Sequence, residues 1–265
     1  MLANSLSGSL PGSLPVTALP ACPVPPYRLS GTVLVALLNH PGEVLALGDA
    51  VHAAPYKAPP QAPVLGVKPR NTWVGEGAAV AVPAEGVVLA ASLGIVIGRP
   101  ACAVAEGEAL AHVAGYLVGV DLHLPMPGAG RHYRPAIRQR ARDGFCPLGP
   151  AVVPAAGVAD PDACALRVWL DGALVHQGST AGRTRGVARL VADVSAFMTL
   201  QPGDVLLLGA APAMPVAHAG QRVVVEIDGV GRLGFGLVAA PAAAAGPAGP
   251  PGHAAQAASA PGGRP

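Results

Sequence analysis

The sequence predicts a mainly β protein with a few short helices, an α+β roll or barrel. Three observations carry this. Short apolar runs rich in Val, Leu and Ile recur along the chain, most of them ended by Gly, Pro, Asn or Asp. Apolar residues recur at clear helical spacing only over Gly186 to Met198. An Asp171-Gly172 pair separates two strand-like runs at the spacing of a tight hairpin. Many strands with few helices point to a sheet curled on itself.

The elements follow in order. Thr32 to Leu37 is an apolar strand ended by the turn residues Asn39-His40-Pro41-Gly42. Val64 to Val67 is a second strand, just before Lys68-Pro69. Val87 to Leu89 and Leu93 to Ile97 read as two strands, the latter closed by Gly98-Arg99-Pro100. A short helix is expected around Ala105 to Ala114, then a strand at Tyr116 to Val120. Arg167 to Leu170 and Ala173 to Val175 form the hairpin arms. Gly186 to Met198 places Val187, Leu190, Val191, Val194 and Met198 on one helical face, and Gln201-Pro202-Gly203-Asp204 stops it. Val205 to Leu208 and Val223 to Ile227 complete the strands, the last followed by an Asp228-Gly229 turn. No internal repeat is visible.

The flanks differ in composition. Residues 1–28 are rich in Ser, Pro, Leu and Ala, and are expected to be a disordered extension or to precede the true start. Residues 240–265 are Ala, Gly and Pro with little else, a disordered tail by composition. One domain, 29–239, lies between them.

Composition bounds the function. A net charge of +2 gives no case for nucleic-acid binding. No apolar run approaches the ~18 residues that cross a bilayer, so no membrane partner is expected. Prolines interrupt the N-terminal apolar residues, which also lack a basic start, so a signal peptide is not expected. Cys22, Cys102, Cys146 and Cys164 match no zinc or redox spacing and read as reduced thiols of a cytoplasmic protein. Arg131, Arg134, Arg138, Arg140 and Arg142 cluster in one segment. Guanidinium groups make paired planar hydrogen bonds, which suits a carboxylate or phosphate ligand, and equally a subunit interface.

Several segments, in a shared order, resemble one family. They are Ala54 to Pro60 with Val67 to Thr72, then Leu93 to Gly98, then Ala114 to Asp121. Tyr133-Arg134-Pro135-Ala136-Ile137 and Arg142-Asp143-Gly144-Phe145-Cys146-Pro147-Leu148-Gly149-Pro150 follow, then Phe197 to Val205. This pattern resembles the fumarylacetoacetate hydrolase family over about residues 31–238. The Tyr133 and Arg142 segments resemble its homoprotocatechuate (4-hydroxyphenylacetate) branch, and the wording is that of the N-terminal half of a duplicated enzyme. The resemblance implies the family's mixed β roll and a lyase/isomerase that decarboxylates a 2-oxo polycarboxylate and isomerises the product. It also implies a partner, either a homologous C-terminal-type subunit or a second copy, and a small polycarboxylate substrate.

The family chemistry uses Mg2+ or another divalent cation to stabilise enolate charge, held by oxygen ligands. The resemblance places the family's Glu-x-Glu ligands at Ala90 and Ser92, leaving Asp121 as the surviving ligand position. Lys68 matches the family's strand-end lysine, and Arg140 stands where the family often has Lys. Lys68 and Asp121 are therefore the catalytic candidates, and Arg134, Arg140, Arg142 and Asp143 the substrate-binding candidates. The family's early catalytic His falls near Glu43, and its Gly-Thr-Pro loop becomes Gly209-Ala210-Ala211. Asp143 is expected to pair with a neighbouring Arg rather than act as a base. His123, two residues after Asp121, shares its side of the strand. A non-catalytic scaffold and a stand-alone fumarylpyruvate-type hydrolase are the rival functions.

Overall fold

Two mixed sheets carry the chain. The computed structural model describes residues 18–126 and 136–241. The first sheet contains β1 (Val33–Leu37), β2 (Val64–Lys68), β3 (Trp73–Val74), β5 (Val87–Ile97), β6 (Val113–His123), β7 (Cys146–Pro154), β10 (Val205–Leu207) and the short β11 (Val216–Ala217). Its order is β2-β1-β10-β5-β6-β7-β3, with β11 added to the start of β5. The second contains β4 (Ala79–Val82), β8 (Ala165–Leu170), β9 (Ala173–Ser179), β12 (Arg222–Ile227) and β13 (Gly231–Ala239), in the order β4-β13-β12-β8-β9. The mainly β architecture predicted from the sequence is the one observed.

Side-chain alternation explains why the central strands are apolar throughout. Leu34, Leu93, Ile95, Val118 and Leu206 enter a core shared with Val168, Val225 and Phe235 of the second sheet. Their neighbours Val33, Val35, Val96, Leu117 and Leu207 enter a separate cluster on the opposite face. A strand buried on both faces reads as a continuous run, because successive side chains point to opposite sides. Part of what covers the second face corrects the expected extension of residues 1–28. Cys22 is buried there, Leu19 and Val24 pack against the cluster, and Val152 N–H donates to Ala21 O at 2.8 Å. Residues 1–17 and 242–265 lie outside the described residues.

Three local expectations change in contact with tertiary structure. Val87 to Leu89 and Leu93 to Ile97 are one strand, since β6 pairs with Ala90, Ala91 and Ser92 as readily as with their neighbours. The Asn39–Gly42 turn opens a short helix, α1 (Pro41–Leu45). His40 caps it by accepting the Gly42 N–H on Nδ1 at 2.9 Å, and Pro41 suits the first helical turn. The helix expected at Ala105 to Ala114 shrinks to α2 (Glu106–Ala109) and one tighter turn, because β6 already begins at Val113. A further short helix, α3, covers Ile137–Arg140.

Two expectations hold closely. Asp171 and Gly172 have φ of 50° and 85°, the positive pair that a two-residue hairpin of matching twist requires. The amphipathic helix α4 (Val187–Ser195) buries Val187, Leu190, Val191 and Val194. The Asp162 carboxylate accepts its first N–H, at Val187, at 2.9 Å.

Candidate active site

β6 delivers Asp121 into the protein, where it is 1% exposed. Lys68, at the end of β2 and also 1% exposed, ion-pairs with one carboxylate oxygen, and the Arg140 guanidinium with the other. The Lys68 ammonium also donates to the carbonyls of Leu122 (2.9 Å), Arg140 (2.8 Å) and Phe145 (2.9 Å). A buried ammonium is tolerated only when surrounded in this way. Burial pushes the Asp121 carboxyl upward, but Lys68 and then Arg140 more than reverse it and hold it below the usual carboxylate range.

Beside this triad is a cavity of about 590 Å³. Val88 and Ala90 of β5, His123, Arg140, Glu43 of α1 and the loop of residues 210–214 line it. Arg140 is the one triad member on the wall; Lys68 and Asp121 stand behind it. Burial, and then the charge of Arg140, push the His123 imidazole down to about 4, so it is neutral at physiological pH. Its Nδ1 lies 2.9 Å from Leu124 O. A carbonyl only accepts, so Nδ1 carries the proton and Nε2 keeps its lone pair.

The loop on the far wall is held in place by Ser92 and Asn39, which the sequence suggested only as a lost ligand position and a turn residue. Ser92 Oγ accepts the Gly209 N–H at 2.9 Å. Asn39, 3% exposed, donates to Leu208 O (2.8 Å) and Arg185 O (2.9 Å) and accepts from Arg185 N–H (2.9 Å). It thereby ties the root of α1 to the strand that feeds the loop. Gly209 has φ of 97°, and a Cβ there would lie 2.6 Å from Ala36 O. The one signal in the sequence was that Asn39 and Gly209 each directly follow an apolar run, which also marks any ordinary turn.

Of the remaining predicted residues, Arg142 and Asp143 do not line the cavity. Arg142 donates to Arg138 O at 3.3 Å. Asp143 is exposed and accepts from Asn71 Nδ2 at 2.7 Å, with no arginine pair among the described residues. Arg131 and Arg134 lie outside the described residues. Glu43, matched only loosely in the sequence, is on the wall.

Comparison with known proteins agrees with this fold. The family described as fumarylacetoacetate (FAA) hydrolase C-terminal matches residues 32–238. The chain belongs to the fumarylacetoacetate hydrolase family. It is 36% identical over 202 residues to the 4-hydroxyphenylacetate degradation bifunctional isomerase/decarboxylase of Escherichia coli, covering 76% of this chain and 46% of that enzyme. The chain thus spans about half the length of the relatives of this kind that it matches. Among solved structures, 2-hydroxyhepta-2,4-diene-1,7-dioate isomerase from Mycobacterium marinum superposes with a TM-score of 0.67 at 28% identity, covering 80% of this chain and 76% of that one. Maleylpyruvate hydrolase from Sphingobium sp. SYK-6, with manganese(II) and pyruvate, superposes with a TM-score of 0.65 at 24% identity, over 82% and 74% of the two chains.

Members of this family bind a divalent metal, and the residues present here do not fit one. Both oxygens of Asp121 are engaged by cationic side chains. Its cross-strand partner is Ala90, which has no donor. The Ser92 hydroxyl donates to Leu93 O and accepts from Gly209. No group of three His, Cys, Asp or Glu side chains converges among the described residues.

Proposed function

We propose that this chain is a component of the enzyme that decarboxylates 5-oxopent-3-ene-1,2,5-tricarboxylate and isomerises the resulting 2-hydroxyhepta-2,4-diene-1,7-dioate in 4-hydroxyphenylacetate breakdown. The relatives with these names support the pathway. The carrying observation is the cavity itself, which persists with Arg140 on its wall although the metal ligands are gone. In this reading a homologous C-terminal-type partner holds the divalent cation, which stabilises the enolate charge that decarboxylation generates.

The residues of this chain suit proton transfer. Isomerisation of a hydroxydienoate moves a proton between oxygen and carbon. Guanidinium N–H groups stabilise the enolate oxygen, and a neutral imidazole beside them takes up and returns the proton. Arg140 and His123 supply those groups on one wall. Lys68 and Asp121 act through Arg140, as positioning residues.

The rival reading is a scaffold that stabilises the metal-bearing partner, and the blocked Asp121 favours it as far as decarboxylation is concerned. A stand-alone hydrolase would need the metal that the site does not fit. The deciding assay measures decarboxylase and isomerase turnover of this chain, alone and mixed with the homologue that retains Glu-x-Glu. Isomerase activity that falls on Arg140→Gln, with assembly intact, supports the component reading. Unchanged turnover leaves the scaffold. EDTA-sensitive decarboxylation by this chain alone overturns both.

A further inference from the structure

We infer that the Lys68–Asp121–Arg140 triad is a built-in cation standing in for the family's divalent ion, so that the cavity takes a ligand carboxylate on the Arg140 guanidinium with no metal. This rests on the reading that the cavity beside Arg140 is the site.

The charge balance is the first ground. Two cations surround one carboxylate, so the buried cluster carries an excess of one positive charge. Lys68 is sealed behind the wall, with its three ammonium hydrogens spent on three carbonyls and its charge paired with Asp121. The excess therefore faces the cavity through Arg140, which is 7% exposed and lines it. A poorly solvated cation is stabilised most by an anion brought to it, and less by water.

Preorganisation is the second. The Arg140 carbonyl accepts from the Lys68 ammonium, while its side chain is gripped by Asp121, which the same ammonium holds. Backbone and guanidinium are thus tied to one point. Of the guanidinium nitrogens, Nη1 is taken by Asp121; among the described residues, Nε and Nη2 donate to no protein acceptor. A planar fork fixed in this way offers paired N–H groups to a carboxylate without losing side-chain entropy on binding. The metal has no equivalent foothold, since Ala90 faces Asp121 across the strands and Ser92 holds the loop.

The test is calorimetric titration of the full chain with pyruvate and with malonate, in EDTA and then with excess Mg2+. The expected result is saturable binding whose Kd changes less than about twofold between the two conditions. Arg140→Gln is expected to weaken it at least about tenfold, in line with loss of a charge-assisted pair. Arg140→Lys, which keeps the charge and loses the fork, falls between. Circular dichroism confirms that each variant is folded. If Arg140→Gln does not fold, the EDTA and Mg2+ arms on the unmodified chain still decide. Binding that vanishes in EDTA and returns with Mg2+ overturns the inference, as does no saturable binding of either probe, or an Arg140→Gln chain that binds normally. None of these outcomes bears on assembly with a partner, so failure here is distinguishable from failure of the component reading.

Discussion

Replacing Lys68 by Met probes the triad most directly. Met keeps much of the length and apolar stem but removes the ammonium. Asp121 is then left with Arg140 alone, and the carbonyls of Leu122, Arg140 and Phe145 lose their shared donor. Removing one partner from a buried ion pair costs about 3–5 kcal/mol. Phe145 O keeps the Leu122 N–H at 3.1 Å; a carbonyl left with no donor adds up to about 1 kcal/mol where water cannot reach it. The added apolar contact of Met offsets part of this. We therefore expect Lys68→Met to lose about 3–6 kcal/mol, against the ~5–15 kcal/mol of a typical domain. Urea unfolding followed by circular dichroism measures it. Asp121→Asn should cost a similar amount, because two buried cations then lack a counter-charge. The double variant should be less destabilised than the two losses added, by about 1–3 kcal/mol. A Lys68→Met chain within about 1 kcal/mol of the unmodified protein would refute the account of this cluster.

Other outcomes follow from the same geometry. His123 has a folded-state pKa of about 4 against an ordinary 6.5, so the unfolded chain binds the extra proton first. Stability is therefore full above about pH 6.5 and falls as the pH drops toward 4, by at most about 3 kcal/mol. Asp121, held below the usual range, removes more stability at still lower pH; urea midpoints that stay flat from about pH 7 to 4.5 would contradict the His123 account, and no further loss below about pH 4 the Asp121 account. Gly209→Ala should destabilise by about 1–3 kcal/mol and weaken ligand binding, since a Cβ at φ 97° meets Ala36 O; calorimetry and unfolding read the two effects. Arg183→Met should be nearly neutral, within about 1 kcal/mol, because the guanidinium is part-buried with Nε and Nη1 unbonded, so its removal sacrifices no hydrogen bond at those atoms. A loss above about 3 kcal/mol would mean that its attraction to Glu43 and Asp162 matters more than its burial.

The sequence was most legible where one physical cause dominated. Asp171-Gly172 forms its hairpin because few other residue pairs accept two positive φ values. α4 forms where the helical period buries one face. Legibility failed where a neighbour decides. Ala90 to Ser92 break the apolar pattern of β5, yet pairing with β6 carries the strand through them. Arg142 and Asp143 open a distinctive motif just after Arg140, but of the three only Arg140, at the end of α3, lines the cavity. Spacing along the chain cannot separate them, because Arg142 and Asp143 bond instead to Arg138 O and Asn71. Asn39 looked like a turn residue, and its three hydrogen bonds depend on segments far away in sequence.

The departures from the family pattern make sense together rather than singly. Three carboxylates around a divalent cation with one nearby lysine balance to zero formal charge. With Ala90 and Ser92 in two of those places, a lone Asp121 could not hold such a cation. Directly opposed cross-strand residues lie about 5 Å apart, so Ala90 also removes the one acid that would have competed with Arg140 for space beside Asp121. The guanidinium pairs with the carboxylate, and the cluster differs from neutrality by a single charge. Losing the acids while keeping Asp121 thus leaves a cationic wall rather than a broken metal site. It follows that reintroducing Glu at positions 90 and 92 would not by itself restore metal binding. Arg140 would still compete with the metal for Asp121, and the Ser92 hydroxyl that holds Gly209 would be gone.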